Sequence, residues 1–370
     1  MKKIFVKIGL VFLFSIFLYS CQEKSITFKV GVIAPLTGEG ARYGDAMKYG
    51  IDLAIEDLNN NGGFQGQKIE AVYQDDKFSA KEALNGFNYL KDVIKVPVIF
   101  GPAGSGISKT LAPKGDESKI VLFSSISTAD TLKFAGDYYF RNISANSLEA
   151  KSVADLLTNK LKLNTVGVFY ENNEYGNNMN TVFKKYFTGG NIIFDLPYEF
   201  KQSDFKSSIA SIKNKKFDAI FIQGTTWGIA MLVKQLRESN INCPIMTGDG
   251  GYGDEIKQIA GKAANGLYCT LPAIEDTTSS NYLIFKEKFL KRYKKLPDVY
   301  SVFSYDAVMM VFNSIVGEKD KQITGELIKN QLYKTSYVGL GGKYEFDSYG
   351  EVNKPFFIFQ YNEGIYKQMN

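Results

Sequence analysis

Phe28-Lys29-Val30-Gly31-Val32-Ile33-Ala34-Pro35-Leu36-Thr37-Gly38 and the residues that follow it decide the architecture. Phe28 to Ala34 is a short, mostly apolar run of the kind buried in a parallel sheet. Pro35 to Gly44 is a glycine-rich loop. Asp45 to Asn59 then sets Met47, Ile51, Ala54, Ile55 and Leu58 on one face of a helix. Asn59-Asn60-Asn61-Gly62-Gly63 ends that helix. A buried strand, a loop and an amphipathic helix open an α/β fold.

The alternation continues along the chain. Runs rich in Val, Ile and Phe read as strands at Lys68 to Gln74, Val96 to Phe100, Ile120 to Ser124, Thr165 to Tyr170, Ile192 to Pro197, Ala219 to Gln223, Pro244 to Thr247 and Gly266 to Leu271. Helical spacing predicts helices over Ser79 to Ile94, Leu148 to Leu161, Asn177 to Phe187, Gln202 to Lys213, Gly228 to Glu238 and Tyr282 to Tyr293. So many strands exceed one open sheet, so two parallel sheets in two lobes are expected. Near the end, Gly342 to Asp347 and Lys354 to Tyr361 predict a hairpin around Ser348-Tyr349-Gly350.

Ahead of the first strand, Lys2, Lys3 and Lys7 precede an apolar stretch from Ile8 to Tyr19, too short for a span of about 20 residues. Residues 1–20 therefore read as a signal peptide. Leu18-Tyr19-Ser20-Cys21 resembles the lipobox of bacterial lipoproteins. That resemblance implies lipid on the Cys21 thiol, removal of the segment before it, and a chain tethered to a bacterial membrane outside the cytoplasm.

Composition excludes several classes. Removing the three leader lysines takes the net charge from +5 to +2, and no basic block remains for nucleic acid. The chain has no histidine, which removes Ser-His-Asp and Cys-His catalysis and every His-containing metal site. With neither G-x-S-x-G nor G-x-x-x-x-G-K-[ST] present, the reading is a binding protein with no catalytic residue, metal or cofactor. Cys243 and Cys269 can pair, but two buried free thiols are the favoured reading. The aromatic content of 14% offers sugar-stacking surfaces or core packing, and the positions of most Phe residues favour packing. Trp227 either packs its helix or enters a cleft.

In parallel sheets, ligands bind beyond the carboxyl ends of strands, at helix N-termini. After Phe100 comes Gly101-Pro102-Ala103-Gly104-Ser105-Gly106, which is either a plain turn or a loop offering backbone N–H groups and the Ser105 hydroxyl to a carboxylate. Ser124-Ser125-Ile126-Ser127-Thr128 adds hydroxyls at the neighbouring strand, where Ser127 or Thr128 can also cap a helix. Gly248-Asp249-Gly250-Gly251-Tyr252-Gly253 fits G-x-G-x-x-G, but Asp249 repels a pyrophosphate and attracts an ammonium.

Taken together, Gly31 to Gly38, Tyr43-Gly44, Asn59 to Gly66, Asp75-Asp76, Gly101 to Gly106, Tyr175-Gly176 and Gly261 to Leu271 resemble the branched-chain amino-acid (Leu/Ile/Val) binding proteins of ABC transporters. The resemblance runs from about Phe28 to Tyr361. It implies the type I periplasmic binding protein fold: two Rossmann-like α/β lobes with parallel sheets joined by a three-crossing hinge. The crossings are expected near Asn142-Ile143, Pro272-Ala273 and Thr335-Ser336. The N-terminal lobe would then be 21–142 plus 274–334, and the C-terminal lobe 143–273 plus 335–370.

By the same resemblance, Ser105, Ser127 and Thr128 hold the ligand's α-carboxylate, Asp249 its α-ammonium, and Tyr175 and Tyr43 its body. Thr225 stands where an aromatic is common, and Asp249 is shorter than the common Glu. Lys77 and Gly104 occupy the places of a frequent first-lobe disulfide, so that link is absent. The implied function is a monomeric, lipid-anchored solute-binding protein that captures a small, apolar or branched-chain amino acid and passes it to an ABC permease and its ATPase. The alternative is a surface lipoprotein of the same fold that senses an amide or short peptide.

Overall fold

The computed structural model describes residues 27–318 and 321–369. The expected leader and lipidated Cys21 lie outside them. The first half of the chain lays down β1 (Thr27–Ala34), α1 (Ala41–Asn60), β2 (Lys68–Asp75), α2 (Ala80–Tyr89), β3 (Val98–Phe100), α3 (Ser105–Ser118), β4 (Val121–Ser124) and β5 (Tyr139–Arg141). The five strands form one parallel sheet in the order β2-β1-β3-β4-β5.

A second alternating series follows: α4 (Asn146–Asp155), β6 (Thr165–Glu171), α5 (Glu174–Tyr186), β7 (Asn191–Tyr198), α6 (Lys206–Ile212), β8 (Ala219–Gln223), α7 (Thr226–Glu238), β9 (Ile245–Thr247) and β10 (Leu267–Pro272). The chain then returns to the first lobe with α8 (Ser280–Tyr293), α9 (Val299–Ser314) and α10 (Gly325–Leu332). It closes with β11 (Ser336–Gly339), β12 (Gly342–Glu345), β13 (Phe356–Asn362) and β14 (Ile365–Gln368). The second sheet has the order β14-β13-β10-β9-β8-β6-β7, parallel except at β13, which pairs antiparallel with both β10 and β14.

Helix α9 escapes a periodicity reading because it has no polar face. Most of its residues are buried, including Tyr300, Val302, Phe303, Ala307, Val308 and Val311. A helix apolar all round belongs in a core. It lies so close to α1 that a Cβ on Gly50 would sit 2.1 Å from the Ser301 carbonyl oxygen.

The expected hairpin around Ser348-Tyr349-Gly350 does not form. Two others replace it. β11 pairs with β12 across Leu340-Gly341, and β13 pairs with β14 across Glu363-Gly364. Glu363 and Gly364 have φ of 50° and 88°, the left-handed pair that matches strand twist in a two-residue turn. Ser348 to Gly350 instead coil over Asp347, whose carboxylate accepts from Tyr349 N at 2.8 Å and Glu351 N at 3.1 Å.

The third passage between lobes also falls later than the sequence suggested. Leu340, Tyr344 and Val352 are buried in the first-lobe core, and only β13, from Phe356, joins the second sheet. Asp306 on α9 explains this, because its buried carboxylate accepts from Leu340 N, Gly341 N and Tyr344 Oη at 2.8, 2.7 and 2.9 Å. The three passages run side by side. Ser144 Oγ donates to Lys354 O at 2.9 Å, and Ala273 N donates to Pro355 O at 2.9 Å. Cys243 and Cys269 are free thiols, as favoured from sequence; Cys269 is buried and Cys243 half-buried.

Candidate functional site

The carboxyl ends of both sheets face a cavity of ≈ 380 Å³ between the lobes. Tyr43, Ala103, Ser105, Thr128 and Tyr300 line it from the first lobe, and Tyr175, Phe200, Gly224, Thr225 and Asp249 from the second. Six of the seven residues picked from sequence therefore converge here. The seventh, Ser127, does not line the cavity. Its hydroxyl lies 2.8 Å from Ser108 Oγ and 3.2 Å from Pro102 O, so it ties the two loops together behind the wall.

One end of the cavity is built of donors. Helix α3 starts at Ser105, whose first-turn N–H groups lack intrahelical acceptors and carry the positive end of the helix dipole. Ser105 Oγ accepts from Thr128 N at 3.3 Å and Ala129 N at 3.2 Å, which leaves its own proton to donate elsewhere. Thr128 Oγ1 makes no hydrogen bond among the described residues. This constellation suits an anion.

The other end carries a buried acid. Asp249 follows β9, is 5% exposed, and accepts Tyr175 Oη at 3.0 Å and Tyr300 Oη at 2.9 Å. Behind it stands Glu149, fully buried, whose Oε1 accepts from Asp249 N at 2.6 Å and from Thr270 Oγ1. Glu149 Oε2 has no hydrogen-bond partner among the described residues. Burial raises both carboxyl pKa values; Asp249 raises that of Glu149 further, while the two tyrosine hydroxyls and Arg42 pull Asp249 back down. A cation entering the cavity would relieve this crowding of negative charge.

Thr225 stands at the position before α7, at the cavity wall, and its hydroxyl is spent: Thr225 Oγ1 donates to Glu171 Oε2 at 2.8 Å, and Thr225 N donates to the same oxygen at 3.0 Å. Sequence reading missed Tyr300, Phe78, Phe200, Glu149 and Arg42. Tyr300 follows the Asp298 capping box that starts α9, and that Asp-x-x-Ser signal was the available clue. Trp227, half-buried on α7, is not among the lining residues.

The lobes touch directly around the cavity. Tyr300 Oη reaches across to Asp249, and Tyr43 Oη lies 3.3 Å from Thr226 Oγ1. The Arg42 guanidinium donates to Thr226 Oγ1 at 3.3 Å, stands 3.8 Å from Glu255 and from Asp298, and lies over the rings of Tyr43, Tyr252 and Tyr300. At the outer edge Glu174 takes Thr131 Oγ1 at 2.6 Å and Lys109 Nζ at 3.0 Å.

Two lobes with parallel sheets, strand ends turned toward a shared cavity, and an acid and a helix N-terminus inside it define a solute-trapping protein. The sequence profile of the periplasmic binding protein family matches residues 27–365, and the chain belongs to that family. Over 346 residues it is 25% identical to the leucine-, isoleucine-, valine-, threonine- and alanine-binding protein of Pseudomonas aeruginosa, covering 91% of this chain and 90% of that protein. The isoleucine complex of LivJ from Streptococcus pneumoniae superposes with a TM-score of 0.86 at 28% identity, covering 92% of this chain and 98% of LivJ. The leucine-binding protein LivK of Thermotoga maritima shares the fold at a TM-score of 0.87 and 24% identity, covering 93% and 98% of the two chains. Membership makes this a solute-binding protein working outside the cytoplasm, not an enzyme. Among the described residues no helix is long and apolar enough to cross a membrane.

Proposed function

We propose that the chain captures a small, apolar amino acid in the interlobe cavity and delivers it to an ABC permease and its ATPase, tethered to the membrane by lipid on Cys21. The observation that carries this reading is the polarity of the cavity: hydroxyls and a helix N-terminus at one end, and at the other an acid crowded by a second acid. An α-amino acid has the complementary charges on one carbon. Its carboxylate meets Ser105 Oγ, Thr128 Oγ1 and the α3 N–H groups, its ammonium meets Asp249, and its body packs on Tyr43 and Tyr175. Thr225 borders the side chain without offering it a free donor. The names of the relatives, which bind leucine, isoleucine and valine, support the same ligand class.

The lobes act as units of 27–142 plus 274–352 and 143–273 plus 356–369. Three adjacent passages let them close without sliding, and a ligand touching both favours the closed arrangement by its differential affinity. Tyr300 is then a reporter of closure, since it donates from the first lobe to the acid of the second. A thermal-shift screen of the full-length chain against the twenty amino acids, simple amides and sugars tests the reading. A ligand at 100 times its Kd adds about 2.7 kcal/mol of stability. Stabilisation by amino acids alone is expected; stabilisation by sugars or amides but no amino acid refutes it. Replacing Cys21 by Ser should move the protein from the membrane to the soluble fraction of cells, and unchanged membrane retention would remove the anchor.

A further inference from the structure

The half of the cavity that would take the ligand's side chain has its own construction. Phe78 from the first lobe and Phe200 from the second meet with ring centroids 5.8 Å apart and planes tilted by 36°. Tyr43 lies parallel to Phe78 at 6.3 Å and 14°. Ile107 and Ile126 complete the apolar wall. On the second-lobe side Gly224 and Thr225 are small, and a side chain at Gly224 is barred because its Cβ would sit 1.9 Å from Tyr198 Oη.

Phe78 is held in place at a cost. Its φ is 58°, a left-handed conformation that bulky residues avoid, and Lys77 before it has a φ of 49°. The turn is fastened by Asp76, buried at 0% exposure, whose Oδ1 accepts from Phe78 N at 2.8 Å. Asp75 fastens the other side, accepting from Leu36 N at 2.9 Å and Lys77 N at 3.0 Å. Backbone strain of this kind persists where the surroundings over-determine it, and here its result is an aromatic ring at the cavity.

Volume points the same way. A cavity of ≈ 380 Å³ lies in the range of small-molecule sites and has room for an amino-acid head group and a ring. Two phenyl faces on opposite lobes also reward a ring beyond the area it buries, because edge-to-face and offset contacts between aromatic rings add to simple apolar packing. Three polar side chains of the lining are already engaged and so reward a hydroxyl or amide side chain less: Thr225 is bound to Glu171, Asn173 to Glu171 and Gly176, and Glu174 to Thr131 and Lys109.

We infer that the site prefers an L-amino acid with an aromatic side chain, of the phenylalanine type, over the branched aliphatic ones, and that Phe78 and Phe200 are its specificity-determining residues. This rests on the amino-acid reading above. The test is isothermal titration of the full-length chain with L-phenylalanine, L-leucine, L-isoleucine and L-valine. A phenylalanine Kd about tenfold below that of leucine is expected, and any ratio above threefold supports the inference. A ratio of three or less overturns it while leaving the amino-acid reading intact; absence of binding by all four strikes at that reading itself. Phe78→Leu and Phe200→Leu should each lower the ratio, and Thr225→Phe, which fills the space left by the small wall, should reverse it. A phenylalanine preference that survives both Phe→Leu changes assigns the selectivity elsewhere and also overturns the inference.

Discussion

Asp249→Asn is the substitution whose two effects should run in opposite directions. The Asp249 carboxyl is buried, hydrogen-bonded by Tyr175 and Tyr300, and set beside the equally buried Glu149. Both acids are raised above the usual carboxylate range, chiefly by burial. An amide removes the charge, keeps the shape, and keeps an oxygen for one tyrosine hydroxyl. The unliganded variant should therefore melt at or above the wild-type temperature at neutral pH. Binding should suffer instead. Breaking a desolvated charge pair costs about 2–5 kcal/mol, which at 1.4 kcal/mol per factor of ten is a loss of roughly 30- to 4,000-fold in affinity. Isothermal titration with the best amino-acid ligand reads the second effect and calorimetric melting the first. A Kd within threefold of wild type would remove Asp249 from the ammonium site, whatever happened to the melting temperature.

At the opposite end, Ser105→Ala removes one hydroxyl donor from a carboxylate already held by helix N–H groups. A hydrogen bond to a charged group is worth about 1.5–3 kcal/mol, so titration should show a loss of roughly 10- to 150-fold, and no loss would place the carboxylate elsewhere. Proton linkage follows from the raised acids. Because Asp249 and Glu149 hold protons in the folded state that the unfolded chain has lost, these two acids contribute stability that is fully present below the ordinary carboxylate range, near pH 4, and is lost as pH rises through the raised values. The ligand's ammonium needs Asp249 ionised, so binding should release protons and weaken by up to tenfold per pH unit as pH falls through the same window. Titrations in buffers of different ionisation enthalpy measure that release, and uptake of protons would contradict the sign. Arg42→Ala removes a guanidinium that spans Thr226, Glu255 and Asp298 over three tyrosine rings. A desolvated cation–π contact is worth about 2 kcal/mol, so ligand affinity should fall about 30-fold and small-angle scattering should show a more extended particle; an unchanged scattering profile would deny Arg42 a part in closure.

Much of this was legible from residue order because strands buried on both faces and helices with one apolar stripe follow simple periods. β1, β2, β6 and β8 fell within a residue or two of their expected bounds. What escaped followed other rules. Helix α9 is buried all round and so has no stripe to detect. The short strand Tyr139–Arg141 is too brief for periodicity to register. The C-terminal strands were paired across the wrong turn because Asp347 organises Ser348 to Gly350 as a coil, while the positive-φ pair Glu363-Gly364 makes a true hairpin. At the cavity, loops at strand ends were readable, since glycines and hydroxyls there have few other uses. Tyr300, Phe200 and Glu149 were not, because each reaches the site through tertiary packing. Ser127 shows the converse: it sits in the right loop, but its hydroxyl is consumed by Ser108 and Pro102.

The central claim is that the cleft recognises both charges of one small molecule. Titrating the wild-type chain with its tightest amino acid, the same molecule lacking the amino group, and the same molecule lacking the carboxylate tests that claim most directly. The account predicts that each truncated compound binds at least a hundredfold more weakly than the intact zwitterion. Equal affinity for either truncated compound would contradict it.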